Sequence, residues 1–378
     1  MKILNVIMSM DEKTGGGTTE RVRQLSLHLN KLGHKVTILT TNYNLSKRPA
    51  FLPKNIEFLP LPCIIPRYYL PFPFLWKVSQ VVKNADIIHL VNHWTIINVI
   101  AFIFITIYKK PYVVSPLGSL PIYGRSKLIK KFYNSLIGKR IINRANACVV
   151  TTKNEYPSFQ SLGVNKSKLN HIPNGIDEKD YLFKGDDFIK KKLGLGNNPF
   201  VLFIGRLNPI KGPDLLLNAF CKIKNKLPNL DLVFIGPDEG MLKSLNEFSV
   251  QKSLNDRVHF LGFLSRDDKS RLLHASSFLS IPSRQEAMSI VVLESGIAEK
   301  PVLITDQCGF DEVEGVGGGF VVPATIDALA EGIKKMMSKK NIMEKMGKNL
   351  NTFVKKRYLW ETIANDYNML FERVVSAK

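Results

Sequence analysis

The sequence predicts an α/β protein built from two doubly wound parallel sheets. Three observations carry that expectation. Short β-branched runs alternate with amphipathic helical stretches, the pattern of β–α–β units. The alternation pauses after Pro173 and restarts at Phe200. The 378 residues are enough for two cores of ordinary domain size.

Taken in order, Lys2–Met8 reads as the first strand, because its apolar run stops at Asp11 and is too short for a secretory leader. Residues Thr18–Leu32 read as a helix, with Val22, Leu25, Leu29 and Leu32 at helical spacing and Gly33 as the stop. A second strand follows at Lys35–Thr40. The stretch Pro53–Pro73 is rich in proline and aromatics and reads as loop. Further strands are expected at Asp86–Leu90, Tyr112–Ser115 and Ala147–Thr151. The longest apolar stretch, Thr95–Tyr108, is shorter than the roughly 20 residues of a membrane span, and Asn98 interrupts it. It is expected as a buried helix.

After a hinge at Pro173–Gly185, strands are expected at Phe200–Gly205, Leu230–Gly236, Val258–Leu261, Phe278–Ile281 and Val302–Thr305. Helices are expected at Gly212–Lys226, Ser289–Ala298 and Ile326–Met337. A last helix from about Trp360 is expected to cross back to the first domain. The predicted division is residues 1–175 with 358–378, and residues 176–357. No short-period repeat is present. Ligands of such sheets bind at the carboxyl ends of strands, so the cleft between two facing units is the expected site.

Hydrophobic content of 45% and charged content of 22% fit an ordinary globular protein. The net charge of +21 reads either as a Lys-rich solvated surface or as a pull toward anionic partners. No zinc-finger spacing or aromatic-interleaved basic repeat points to specific nucleic-acid binding. Cys63, Cys148, Cys221 and Cys308 lack metal-ligand spacing and read as reduced, mostly buried cytosolic thiols.

Three motifs carry chemistry. Gly15-Gly16-Gly17 follows the first strand and opens a helix, where backbone can approach an anion. It lacks the acidic residue of a dinucleotide fingerprint, and a plain glycine turn is the alternative. Arg206 and Lys211 stand at a strand–helix junction and suit a diphosphate. Two surface cations at a turn are the alternative. Glu286 and Glu294 lie eight positions apart around the start of a helix. Amides of Ala287, Met288 and Ser289 would face a ligand there, and Glu294 could accept hydrogen bonds from vicinal hydroxyls. Spacing alone favours a capping glutamate and an exposed helix glutamate.

The combination resembles glycosyltransferase family 4, retaining enzymes of the GT-B architecture. The resemblance runs nearly end to end. It is carried by the glycine loop, Asp86-Ile87-Ile88-His89 with Trp94, Tyr112-Val113-Val114-Ser115-Pro116 with Gly118, and Ile172-Pro173-Asn174-Gly175-Ile176-Asp177. It continues through Gly205-Arg206-Leu207 with Lys211-Gly212, Gly236-Pro237-Asp238, Phe260-Leu261-Gly262-Phe263 and the two glutamates. The implied fold is GT-B, two Rossmann-like doubly wound domains facing across a cleft. By resemblance, Arg206 and Lys211 bind the donor diphosphate, Glu286 contacts the donor sugar and Glu294 the nucleotide ribose. Phe263 marks the segment that meets the base, and Gly16 and Gly17 reach the donor phosphate.

The chain departs from the family at Ala287-Met288-Ser289, at Leu117, and at Val91, where a second histidine is usual; His93 is the candidate substitute. The implied reaction moves a hexose from a UDP- or GDP-sugar, the co-substrate, to an acceptor hydroxyl with retention. The implied setting is surface polysaccharide or lipid-linked glycan assembly. No Asp-x-Asp stands at a strand end, and no metal or other cofactor is expected. The alternatives are a sugar phosphorylase or nucleotide-sugar epimerase of the same architecture, or a basic polyanion-binding module. Within residues 125–144, Leu128, Ile129, Phe132, Tyr133, Leu136 and Ile137 share a helical face, with Lys127, Lys130 and Lys131 elsewhere. That face is expected to pack on the protein's own sheet. The lysines would draw a cytoplasmic enzyme into peripheral contact with an anionic membrane.

Overall fold

The computed structural model describes residues 1–45, 47–72, 74–122, 126–183, 187–286, 288–338 and 340–377. The chain divides into two compact units, Met1–Asn174 with Trp360–Lys378, and Gly175–Leu359.

In the first unit the strands are β1 (Lys2–Ser9), β2 (Lys35–Thr41), β3 (Glu57–Leu61), β4 (Cys63–Ile65), β5 (Leu70–Pro71), β6 (Ile87–Val91), β7 (Tyr112–Ser115), β8 (Ala147–Val150) and β9 (Leu169–His171). Seven form a parallel sheet in the order β3-β2-β1-β6-β7-β8-β9, and β4 pairs antiparallel with β5. In the second unit the strands are β10 (Phe200–Ile204), β11 (Asp231–Ile235), β12 (Val258–Phe260), β13 (Phe278–Ile281), β14 (Val302–Thr305) and β15 (Gly319–Val322). They form a parallel sheet in the order β12-β11-β10-β13-β14-β15. Strand order reverses between β1 and β6, and again between β10 and β13. Crevices for ligands open at such switch points, beyond the carboxyl ends of the strands.

Both faces of the first sheet are covered, which is why its strands read as continuous apolar runs. Leu4 and Val6 of β1 join a core formed with the helices Leu75–Asn84, Ile96–Ile107 and Lys139–Arg144. Ile3 and Ile7 point the other way, to the helices Glu12–Lys31 and Trp360–Ser376. The C-terminal helix therefore completes the first unit. Arg21, buried on the first helix, fixes it there: its guanidinium donates to Tyr367 Oη at 2.9 Å, to the Ile172 carbonyl at 3.0 Å and to Asn174 Oδ1.

Several expectations need correction. The stretch Pro53–Pro73 is not all loop, since it contains β3, β4 and β5. Pro60 lies within β3, and β3 is an edge strand, where a missing N–H is tolerated. The glycines at 15–17 do not precede the helix. It begins at Glu12 and breaks at Gly16, whose φ of 53° and ψ of −142° are not helical. The expected helix Ser289–Ala298 is observed at Ile290–Ile297.

Most of the apolar face of residues 127–144 does not pack on the sheet; of its six residues only Tyr133 and Ile137 turn inward. A π-helical turn, Asn134–Gly138, joins Lys127–Tyr133 to Lys139–Arg144. The inward rows are Asn134, Gly138, Ile142 and Tyr133, Ile137, Ile141; Leu128, Ile129, Phe132 and Leu136 face water. The helix Ile96–Ile107 is buried along one side, and Asn98 donates to the carbonyls of Val91 and Asn92, both at 3.0 Å. Among the described residues, no helix is long and apolar enough to cross a membrane.

In the second unit, Gly236 has φ 140°, and a Cβ there would lie 1.9 Å from the Gly205 carbonyl oxygen. Gly236→Ala is expected to cost more than about 2 kcal/mol of unfolding free energy. Gly240→Ala, with φ 101° but nothing within 4 Å, is expected to cost less. Urea unfolding of the two variants checks the order.

Candidate active site

The second unit gathers Arg206, Lys211 and Glu286 at the carboxyl ends of neighbouring strands. β10 runs into Gly205 and Arg206, then a turn to Gly212. Pro213 opens the next helix, Pro213–Ile223, with its φ preset for the first turn. Gly212 takes φ 67°, and a Cβ on it would lie 2.1 Å from the Pro282 carbonyl oxygen, just past β13. The two loops are joined again by Arg284. Its amide donates to the Ile210 carbonyl at 2.7 Å, and its guanidinium binds both Asp214 oxygens at 2.8 and 2.6 Å. That pairing raises the Arg284 pKa above its ordinary value.

This joining sets Lys211 against Glu286. Lys211 Nζ lies 2.8 Å from Glu286 Oε1, and the carboxylate is 7% exposed. Ser283 Oγ donates to the same oxygen at 2.5 Å. The Glu286 amide donates to the Gln307 carbonyl at 2.9 Å, so the end of β14 also holds the residue in place.

Arg206 stands at the rim, half exposed. Its Nη1 is 2.9 Å from Glu239 Oε1, while Asn208 Nδ2 donates to Glu239 Oε2 at 2.6 Å. Burial raises the Glu239 pKa, but the hydrogen bonds from Asn208 and Arg206 and the Arg206 charge outweigh it, leaving the carboxyl below its usual range. Neither Glu239 nor Asn208 was singled out in the sequence. The one signal was the Gly236-Pro237-Asp238 motif immediately before Glu239. Asp238 itself accepts from the amides of Gly240, Met241 and Leu242 at 2.8 to 3.0 Å, which holds its pKa low.

Glu294 is buried and paired with Lys269 Nζ at 2.9 Å. Lys269 also reaches Tyr181 Oη at 3.3 Å. Burial first, and then Glu294, push the Tyr181 pKa well above its usual value. Phe263 is exposed just beyond β12. Met288 packs its side chain into the core, and Ser289 stands just before the helix Ile290–Ile297 without a side-chain capping hydrogen bond. The Ser289 amide donates to the Cys308 carbonyl at 3.2 Å, so it does not face a ligand as expected. Ala287 lies outside the described residues. Among the described residues, no cluster of His, Cys, Asp or Glu could hold a metal ion.

In the first unit, Gly16 and Gly17 are exposed beyond β1, and Val91 ends β6 inside the core. His93 is buried two residues on. Its Nε2 lies 2.7 Å from Asn134 Oδ1 on the π-helical turn, with Trp94 and Tyr133 edge-on to the ring. Burial lowers its pKa to about 4, against the opposing hydrogen bond to Asn134. His89 bonds Asn5 at 2.9 Å and Ser115 at 2.7 Å. Burial, and then the charge of Arg21, lower its pKa to about 3.

Two parallel α/β units of this topology, with cations and carboxylates at the strand ends of the second, define a GT-B glycosyltransferase. Residues 15–180 match the family model "Glycosyltransferase Family 4", and residues 185–352 match "Glycosyl transferases group 1". The chain belongs to glycosyltransferase family 4. An uncharacterized glycosyltransferase of Methanocaldococcus jannaschii is 26% identical over 97% of this chain and 96% of its own. A component of human phosphatidylinositol N-acetylglucosaminyltransferase is 22% identical over 95% of this chain and 73% of its own. Among solved structures, Anabaena HepE in complex with UDP and glucose superposes with a TM-score of 0.79 at 21% identity, over 99% of this chain and 100% of that one.

The buried histidines give a pH dependence. Both are depressed from the ordinary value near 6.5, so below that pH the unfolded chain takes up protons that the folded chain refuses. Stability should fall as pH drops from about 6.5 toward 4. His93→Gln is expected to remove roughly 2 kcal/mol of the loss at pH 4.5, measured by urea unfolding at the two ends of the range.

Proposed function

We propose that this glycosyltransferase moves a hexose from a nucleotide-diphosphate sugar, a UDP- or GDP-sugar, to an acceptor hydroxyl with retention of anomeric configuration. The observation that carries the reading is the Lys211–Glu286 pair at the switch point between β10 and β13, with Arg206 on the rim. HepE, similar in fold, was solved with UDP and with UDP-glucose, which supports a nucleotide-sugar donor.

In this reading the donor diphosphate takes the place of Glu239 on Arg206. A half-exposed ion pair contributes at most about 1 kcal/mol, so exchanging it for a doubly charged phosphate costs little. Lys211 moves from Glu286 to the phosphate, or bridges the two, and Glu286 accepts hydrogen bonds from sugar hydroxyls. Glu294 takes the ribose, Phe263 lies by the base, and Met288 lines the sugar through its backbone. The family resemblance adds Gly16 and Gly17 as phosphate contacts.

The bond from the anomeric carbon to the phosphate oxygen breaks, and its electron pair stays on the diphosphate. Arg206 and Lys211 stabilise that growing charge, which is the largest contribution such a site makes to rate. The acceptor hydroxyl attacks from the same face, and its proton passes to the departing phosphate oxygen. The protein then needs no nucleophile, and the two cations supply the charge a metal would otherwise bring. His93 shapes the acceptor side as a neutral imidazole. We place the enzyme in the cytoplasm, with a lipid-linked or glycan acceptor in surface polysaccharide assembly; the acceptor class fits the names of two similar proteins. One belongs to a phosphatidylinositol N-acetylglucosaminyltransferase, and another, WaaG, is involved in lipopolysaccharide biosynthesis.

The test is nucleotide release from a panel of UDP- and GDP-sugars, with binding followed by calorimetry. Arg206→Ala and Lys211→Ala are each expected to lower kcat/KM by roughly 100- to 1,000-fold. Glu286→Gln should lower kcat while nucleotide alone still binds. Turnover unchanged in all three variants would remove these residues from the site.

A further inference from the structure

From residue 58 to residue 154 the chain carries thirteen Lys and Arg and a single acidic residue, Asp86. More than half of the net charge of +21 therefore falls in about a quarter of the sequence. That stretch builds one of the two helix layers of the first unit: Leu75–Asn84, Ile96–Ile107 and residues 127–144.

The outer side of this layer leaves large apolar side chains in water. Leu128 is 80% exposed, Phe132 66%, Trp76 64%, Ile107 60%, Ile129 57% and Leu136 52%. Leu128, Phe132 and Leu136 recur every fourth residue and make one stripe, with exposed Lys127, Lys131 and Lys139 beside it. The opposite layer differs. Among its described large hydrophobic residues only Leu32 and Met369 are exposed, and the five acidic residues of its two helices, Glu12, Glu20, Glu361, Asp366 and Glu372, equal its five Lys and Arg in number.

We propose that this layer of the first unit is a docking surface for an anionic lipid bilayer. Its apolar stripe enters the boundary between headgroups and acyl chains, and the lysines meet the phosphates above it. Charge alone would fit any polyanion. Exposed leucine and isoleucine discriminate, because aliphatic side chains gain nothing from a nucleic-acid backbone but gain burial in lipid. The stretch also has almost no acidic residues to repel an anionic surface. This assignment stands independently of the donor reading, since none of the stripe residues belongs to the donor site.

The experiment is co-sedimentation of the full chain with vesicles of phosphatidylcholine alone, and of phosphatidylcholine mixed with phosphatidylglycerol. Binding to the mixed vesicles and not to the neutral ones is expected. Lys127→Gln with Lys131→Gln should weaken that binding roughly 25-fold, about fivefold for each charge. Leu128→Glu with Phe132→Glu should abolish it while thermal melting and nucleotide-sugar binding stay at wild-type values. If that pair melts early, Leu128→Gln with Phe132→Gln takes its place. Failure to bind mixed vesicles overturns the proposal. So does single-stranded DNA binding as tight as vesicle binding and indifferent to the Leu128 and Phe132 changes, which would make the surface a polyanion site.

Discussion

The contact of Gly212 with the Pro282 carbonyl is the constraint on which the second unit's site depends. No side chain fits there, so the loop after β10 lies flat on the loop after β13. That closeness lets the Arg284 amide reach Ile210 and its guanidinium reach Asp214. With both loops fixed, a lysine and a nearly buried carboxylate meet at 2.8 Å rather than facing water separately. Pro213 starts the helix at once, so the turn has no slack to drift. The charged chemistry of the site follows from a glycine that carries none.

Much of the fold was legible because central parallel strands must be apolar on both faces. β1, β6, β10 and β13 read as β-branched runs, and they flank the two reversals of strand order. The strands left out of the sequence reading were β3, β9 and β15, each at the edge of its sheet, and the small β4–β5 pair. An edge strand has a neighbour on one side only. It can be three residues long, as Leu169–His171 is, or carry a proline, as Pro60 does. Its sequence is then under weak constraint, and hydropathy misses it. The misreading of residues 127–144 has another cause. A helical wheel assumes a constant 3.6-residue period, and the π-helical turn at Asn134–Gly138 shifts which side chains face inward.

The site was legible at its charged ends and opaque at their partners. Arg206, Lys211, Glu286 and Glu294 stand in recognisable local patterns. Their partners do not, because they come from other elements. Glu239 is 33 residues from Arg206, Lys269 is 25 from Glu294, and Asn134 is 41 from His93. Nothing local in sequence specifies such pairings; the sheet order does. The same holds for Ser289, whose amide is taken by Cys308 across the end of β14. A reading from helix position alone could not anticipate that.

Arg21 has a consequence for how the chain is made. Its guanidinium holds Ile172 and Asn174, where the chain leaves the first unit, and Tyr367, on the helix by which it returns. The second unit is one continuous stretch, Gly175–Leu359, and can fold as soon as it clears the ribosome. The first unit begins emerging earlier yet lacks its closing helix until the whole of the second unit has been made. During translation its sheet waits with one apolar face incompletely covered and a buried-site cation short of a partner. The half of the protein that is made first is thus completed last, and its nascent form is the one most exposed to aggregation.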